Sequence, residues 1–152
     1  MLTTVKDVSI VVAGVVALAT LVTGALQYAR QIRFQRIQQF VEMRRRFLED
    51  ATFRRLLNLL AEDNPSLAHE PVQDRRNLVG FFEEIALMVN SGALSPQVAQ
   101  YMFGYYVALV DRSQHFWRGL DKDGLYWTVF RRFAGRLREL EEGGARSAPL
   151  RF

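Results

Sequence analysis

The sequence predicts an all-α protein, an N-terminal transmembrane helix followed by a cytoplasmic antiparallel helical bundle. Three observations predict it. Residues 8–29 carry no charge and are mostly apolar, apolar residues then recur every three or four positions from Ile32 onward, and no segment alternates with period two for long enough to make a strand.

The uncharged stretch VSIVVAGVVALATLVTGALQYA holds 22 residues. At about 1.5 Å per residue it reaches roughly 33 Å, enough to cross the hydrocarbon core of a bilayer. A soluble helix so apolar on every face is rare. A cleaved leader is opposed by three features: Lys6 is offset by Asp7, the apolar run exceeds the usual leader length, and six arginines come after it by position 46. Those arginines, Arg30, Arg33, Arg36 and the Arg44-Arg45-Arg46 run, face only Lys6 on the other side, so the positive-inside rule puts the C-terminal helical domain in the cytoplasm. Tyr28 sits where an interfacial aromatic anchor belongs. The expected layout is a short extracytoplasmic start (1–7), the span (8–29), a cytoplasmic helical domain with a basic juxtamembrane helix (30–140) and a mobile tail (141–152). Within the span, Ala13, Ala17, Thr20 and Gly24 are spaced 4, 3, 4 and share one face, a small-residue surface for association with a second helix.

The net charge of +4 is unevenly placed. Between Arg30 and Leu60 stand eight arginines against three carboxylates, whereas after Leu60 eleven Lys or Arg face twelve Asp or Glu. A basic stalk directly after a span meets an anionic inner leaflet, where each cation is worth about 1 kcal/mol, so Arg30, Arg33 and Arg36 are expected to contact lipid. Nucleic acid is not expected: the aromatics, 12% of the chain, fall mostly at core spacing and are not interleaved with cations on an exposed face. The chain has no cysteine, which excludes disulfides, thiolate metal sites and cysteine nucleophiles.

Beyond the stalk the periodicity reads as successive helices. A long helix from Ile32, bent near Glu49-Asp50, has Asp50 as cap of a second piece carrying Phe53, Leu56, Leu57 and Leu60. A loop punctuated by Asn64-Pro65 and Pro71 leads into a helix over 71–90, stopped by Ser91-Gly92. Its apolar residues cover more than half the circumference, the mark of a central helix. Ser95-Pro96 starts the next helix, which runs to about Trp117, and Asp121 to Gly124 make a turn. A last helix over 125–140 aligns Tyr126, Phe130, Phe133, Leu137 and Leu140 in one stripe.

Glu83 and Glu84 are the carboxylates that a catalytic reading would use. Neighbouring helix positions point about 100° apart, so they do not converge on one reacting atom and ion pairing at the core rim is the simpler role. Arg112 falls on the apolar side of its predicted helix, where a guanidinium needs an acceptor; an internal ion pair with Glu83 or Glu84 is expected. His69 and His115 have no second histidine at i+3 or i+4, and no phosphate-loop, dinucleotide, zincin or hydrolase motif occurs, so no cofactor or metal is expected.

The segments Asn77-Leu78-Val79-Gly80-Phe81-Phe82-Glu83-Glu84-Ile85-Ala86, Val89-Asn90-Ser91-Gly92-Ala93-Leu94-Ser95 and Tyr101-Met102-Phe103-Gly104 resemble the core of an uncharacterised bacterial family of small single-pass membrane proteins with a helical domain of unknown function, DUF4760-like. The resemblance implies membrane anchoring and a helical fold, and transfers no catalytic residue. In such proteins a tryptophan often follows the Phe-Gly pair, where this chain reads Tyr105-Tyr106-Val107-Ala108-Leu109.

The functional expectation is a helical interaction module without catalytic activity, held at the bacterial inner membrane, that binds a protein partner or associates with itself. The alternative is a membrane-acting effector or toxin that oligomerises through its transmembrane helix. An enzyme acting on lipids or nucleotides has only Glu83, Glu84 and Arg112 to rest on.

Overall fold

A computed structural model describes residues 20–24, 27, 28, 31, 38 and 40–144, which fall into two units, Met1–Met43 and Arg44–Phe152. In the first unit every described residue is helical, and Leu21, Val22, Tyr28 and Val41 are exposed. The Thr23 hydroxyl donates to the Thr20 carbonyl at 3.0 Å, back-bonding within a helical turn. Most of the expected span over 8–29, including Ala13 and Ala17, lies outside the described residues, as do Arg30, Arg33 and Arg36. Thr20 and Gly24 are described, helical and exposed. Among the described residues no helix is long and apolar enough to cross a membrane.

The second unit is all-helical among its described residues, and it begins at Arg44, inside the region expected to fold as one piece from residue 30. Residues 44–49 are helical. Asp50 then leaves the helical region and its carboxylate accepts from the Thr52 and Phe53 amides at 2.8 and 3.0 Å, capping helix α1 (Ala51–Ala61) as its residue type dictates. Asp63, at φ 44°, turns the chain, and Asn64 caps a 3-10 turn (Pro65–His69) that buries Leu67. Helix α2 (Val72–Asn90) follows Pro71 and ends where Gly92, at φ 71°, lets the Ala93 and Leu94 amides return to the Met88 carbonyl.

Ser95 caps α3 (Pro96–Arg112) by accepting from the Val98 amide. The expected continuation to Trp117 fails at Ser113. This residue is extended (φ −72°, ψ 116°), and its hydroxyl accepts from the Phe116 amide to start a separate short helix, α4 (Gln114–Trp117). A 3-10 turn (Leu125–Trp127) then precedes α5 (Thr128–Glu142). The last helix thus starts three residues later than its periodicity implied. Tyr126 is outside the stripe and almost fully exposed, while Phe130, Phe133, Ala134 and Leu137 make the buried face.

Helix α2 is central, as its wide apolar face requires. Leu78, Val79, Phe81, Phe82, Ile85, Ala86 and Val89 are all buried, and α2 packs against α1, α3 and α5. Aromatic rings fill the space between helices. Phe47 lies 5.1 Å from Phe81, 5.4 Å from Phe103 and 5.1 Å from Tyr106 by ring centroids, and Phe53 adds an edge to Phe81 at 5.5 Å. Such tilted and offset pairs contribute about 0.5–1.5 kcal/mol each beyond their burial. A second aromatic group, Trp117 with Trp127 and Phe130, ties the connection after α4 to α5. A short turn joins the end of α2 to the start of α3, and the first turn of α2 reaches the end of α4 through Arg75.

Candidate functional site

Polar side chains converge on the connection between α4 and α5, and Arg75 is the first of them. It lies in the opening turn of α2 on the same face as Leu78 and Phe82, and is only 2% exposed. Its Nη1 donates to the carbonyls of Phe116 (2.5 Å) and Arg118 (2.8 Å). Carbonyls at a helix C-terminus have no partner inside the helix, so the buried guanidinium closes α4 and fixes the chain that leaves it. Burial pulls the Arg75 guanidinium below its ordinary range, with Glu70 opposing the shift. Among the described residues its Nε has no hydrogen-bond partner.

Asp111 makes the second clamp, at the end of α3. Its carboxylate pairs with Lys122 at 2.9 Å and with Arg138 of α5 at 2.5 Å, and Lys122 also donates to the Asp111 carbonyl. Arg131 in turn donates to the Lys122 carbonyl at 2.9 Å, and the Lys122 ammonium stands over the Trp117 ring. Ser113 adds a bond of 2.7 Å to Asp63, tying the α3–α4 junction to the turn after α1. Residues 118–127 are therefore held at both ends, although they contain little regular structure.

Between this connection and α2 lies a cleft of about 690 Å³, lined by Arg76 and Glu83 on one side and by Gly119, Leu120, Asp121, Gly124, Tyr126 and Trp127 on the other. Glu83 has a structural task there. No local side chain caps α5, and the Glu83 carboxylate accepts from the Phe130 amide at 3.2 Å, supplying the cap from another helix. Burial raises the Glu83 pKa above the usual carboxylate range, and the Phe130 amide limits the rise.

The expected ion pair between Arg112 and Glu83 or Glu84 is not formed. Arg112 is exposed, Glu83 is bonded to Phe130, and Glu84 pairs with Arg46 at 3.7 Å with both side chains about half exposed. The reason is geometric. Tyr101, Tyr105, Ala108 and Arg112 are spaced 4, 3, 4, and the bundle leaves both tyrosines on the solvent side, so Arg112 continues an exposed face. The expectation that the aromatics fall mostly at core spacing does not hold for these two, and Arg75 was missed. The signal was present: 75, 78, 82, 85 and 89 run 3, 4, 3, 4, so Arg75 shares one face of α2 with four apolar residues. His69 is exposed in the first 3-10 turn and His115 is half-buried in α4. Among the described residues no group of three or more His, Asp or Glu is placed to hold a metal.

The residues define a helical bundle whose buried charges serve its own architecture and whose distinctive surfaces are exposed aromatics. The chain belongs to the family described as a domain of unknown function (DUF4760), whose model matches residues 8–137. No curated protein and no solved structure matches it.

Proposed function

We propose that the protein is a membrane-anchored interaction module: the uncharged stretch over 8–29 spans the bacterial inner membrane, Arg30, Arg33 and Arg36 meet anionic headgroups, and the bundle works in the cytoplasm as a binding surface. The observation that carries the interaction is the outer face of α3. Tyr101 is 74% and Tyr105 62% exposed, one helical turn apart, with Arg112 on the same face. Tyrosine and arginine are the residue types over-represented where protein interfaces concentrate their binding energy. Tyr106, behind them, packs its ring on Phe47, so the face sits on a rigid base. The occupant is a protein, a second copy of the chain or a different one.

Photo-crosslinking in intact membranes tests this, with benzoylphenylalanine at Tyr101 or Tyr105 of the full chain and at exposed Asn58 as control. A discrete adduct from both tyrosine positions, absent at Asn58 and lost in Arg112→Ala, supports the reading, and its mass separates self-association from a heterologous partner. Because Arg112 is exposed, Arg112→Ala is expected to change stability by no more than about 0.5 kcal/mol. No adduct at either tyrosine overturns the interaction face. The alternative, an effector that permeabilises the bilayer, predicts instead a loss of membrane potential on induction that Gly24→Leu abolishes.

A further inference from the structure

The exposed face of α3 is complementary to itself. Tyr101, Tyr105, Ala108 and Arg112 are spaced 4, 3, 4, so the spacing is the same from either end. Two copies of α3 laid side by side in opposite directions, in the register that overlays these four positions, set Tyr101 opposite Arg112 and Tyr105 opposite Ala108, each pair occurring twice. Both pairs match. A guanidinium over a tyrosine ring is attracted by the ring's quadrupole, and among the described residues Arg112 forms no ion pair that would compete for it. A tyrosine against an alanine sets a large side chain on a small one. Ala108 lies in a notch between α3 and α5 lined also by Gly104, Arg112 and Arg138, and the Tyr105 ring is braced edge-on against Tyr106 at 5.3 Å. The in-register parallel arrangement has neither match: it sets Arg112 against Arg112, and like charges across an interface repel.

We propose that α3 pairs with α3 of a second copy of this chain, antiparallel, through two Tyr101–Arg112 and two Tyr105–Ala108 contacts. The proposal rests on the reading of this face as an interaction surface and names its occupant. Electrostatic complementarity selects that occupant. The face carries both a cation and the ring that a cation seeks, and on one chain they lie eleven positions, roughly 16 Å, apart, so a reversed copy of the same face brings them together. A pair related by a two-fold axis matches all four side chains of each copy and closes, leaving no such face open for a third. Four residues a side make a small interface, of the class whose complexes are transient, so the pairing is best read by trapping it covalently.

The chain contains no cysteine, so a single engineered thiol reports one position. Full-length Tyr101→Cys and Arg112→Cys proteins carrying different tags are produced in the same cells, which are then treated with a short membrane-permeant bis-maleimide. The expected product joins the two variants, because that dimer brings its thiols together and keeps its second Tyr101–Arg112 pair intact. Neither variant joins to itself, since its two thiols lie roughly 16 Å apart along the helices. Both positions are exposed, so both variants should melt with the wild type. A second arm reads the yield of self-adduct from benzoylphenylalanine at Tyr105. Tyr101→Arg, which sets arginine against arginine, should lower it about tenfold, and Tyr101→Arg combined with Arg112→Tyr should restore it. Absence of the mixed product, or a double variant as weak as the single one, overturns the proposal. If benzoylphenylalanine at Tyr101 and Tyr105 captures only a different protein, the self-pairing falls and the interaction face stands; if it captures nothing, both fall.

Discussion

The bundle is held in two different ways. Around Phe47, Phe81 and Phe103 the helices meet through rings, with few polar atoms involved. Around Arg75, Asp111 and Glu83 they meet through side chains that reach across to another element, in two cases to a backbone group and in the third to a lysine and an arginine. The first arrangement gains from area removed from water and is tolerant of detail. The second depends on single donors and acceptors, because a buried carbonyl or amide without its partner is expensive. It allows a connection with little regular structure to be as well placed as a helix.

Removing a ring should have the largest effect. Phe81 is 1% exposed and touches Phe47, Phe53, Phe82 and Phe103, so Phe81→Ala is expected to cost about 3–5 kcal/mol, read as a lowered melting temperature of the full chain in mild detergent. Arg75→Met comes next, at about 2–4 kcal/mol: it keeps most of the side-chain volume but leaves the Phe116 and Arg118 carbonyls without their donor. If Arg75→Met melted with the wild type, the distinction between the two arrangements would collapse, and packing alone would hold the α4–α5 connection.

Glu83 gives the smallest effect and the most specific one. Glu83→Ala removes the acceptor for the Phe130 amide and should cost about 1 kcal/mol, whereas Glu83→Gln keeps an acceptor oxygen and should cost less. The pH dependence adds a sign. Because burial raises the folded-state pKa, the folded protein holds this proton more tightly than the unfolded chain does. Its contribution is therefore fully present below the ordinary glutamate range and is lost as pH rises through the folded value. Comparing melting curves across that acidic window, the wild type should lose this increment of stability and Glu83→Gln should not. Parallel pH profiles for the two proteins would mean that Glu83 is as well solvated in the fold as in the unfolded chain.

Local signals were legible in the sequence and long-range ones were not. Asp50, Ser95-Pro96 and Gly92 act within a few residues of themselves, and each does in the structure what its type implied. The apolar width of α2 likewise identified the central helix. Ser113 reads as one more helical position, and its break becomes intelligible only beside Asp63, 50 residues earlier. The buried cation was misassigned for a related reason: aromatic width on a wheel does not say which side of a helix has a neighbour, and α3 leaves Tyr101, Tyr105 and Arg112 exposed. The span, its small-residue face at Ala13 and Ala17 and the stalk arginines lie outside the described residues, so the fold bears on the bundle and not on them.

Arg75 also orders events during synthesis. Its acceptors lie 41 and 43 residues downstream, and its guanidinium does not lose its charge at any physiological pH. Until Phe116 and Arg118 emerge from the ribosome, the opening turn of α2 cannot pack as it does in the finished fold without stranding a cation among apolar side chains. The growing chain therefore keeps that face of α2 hydrated, and the bundle closes only after the chain has passed the end of α4.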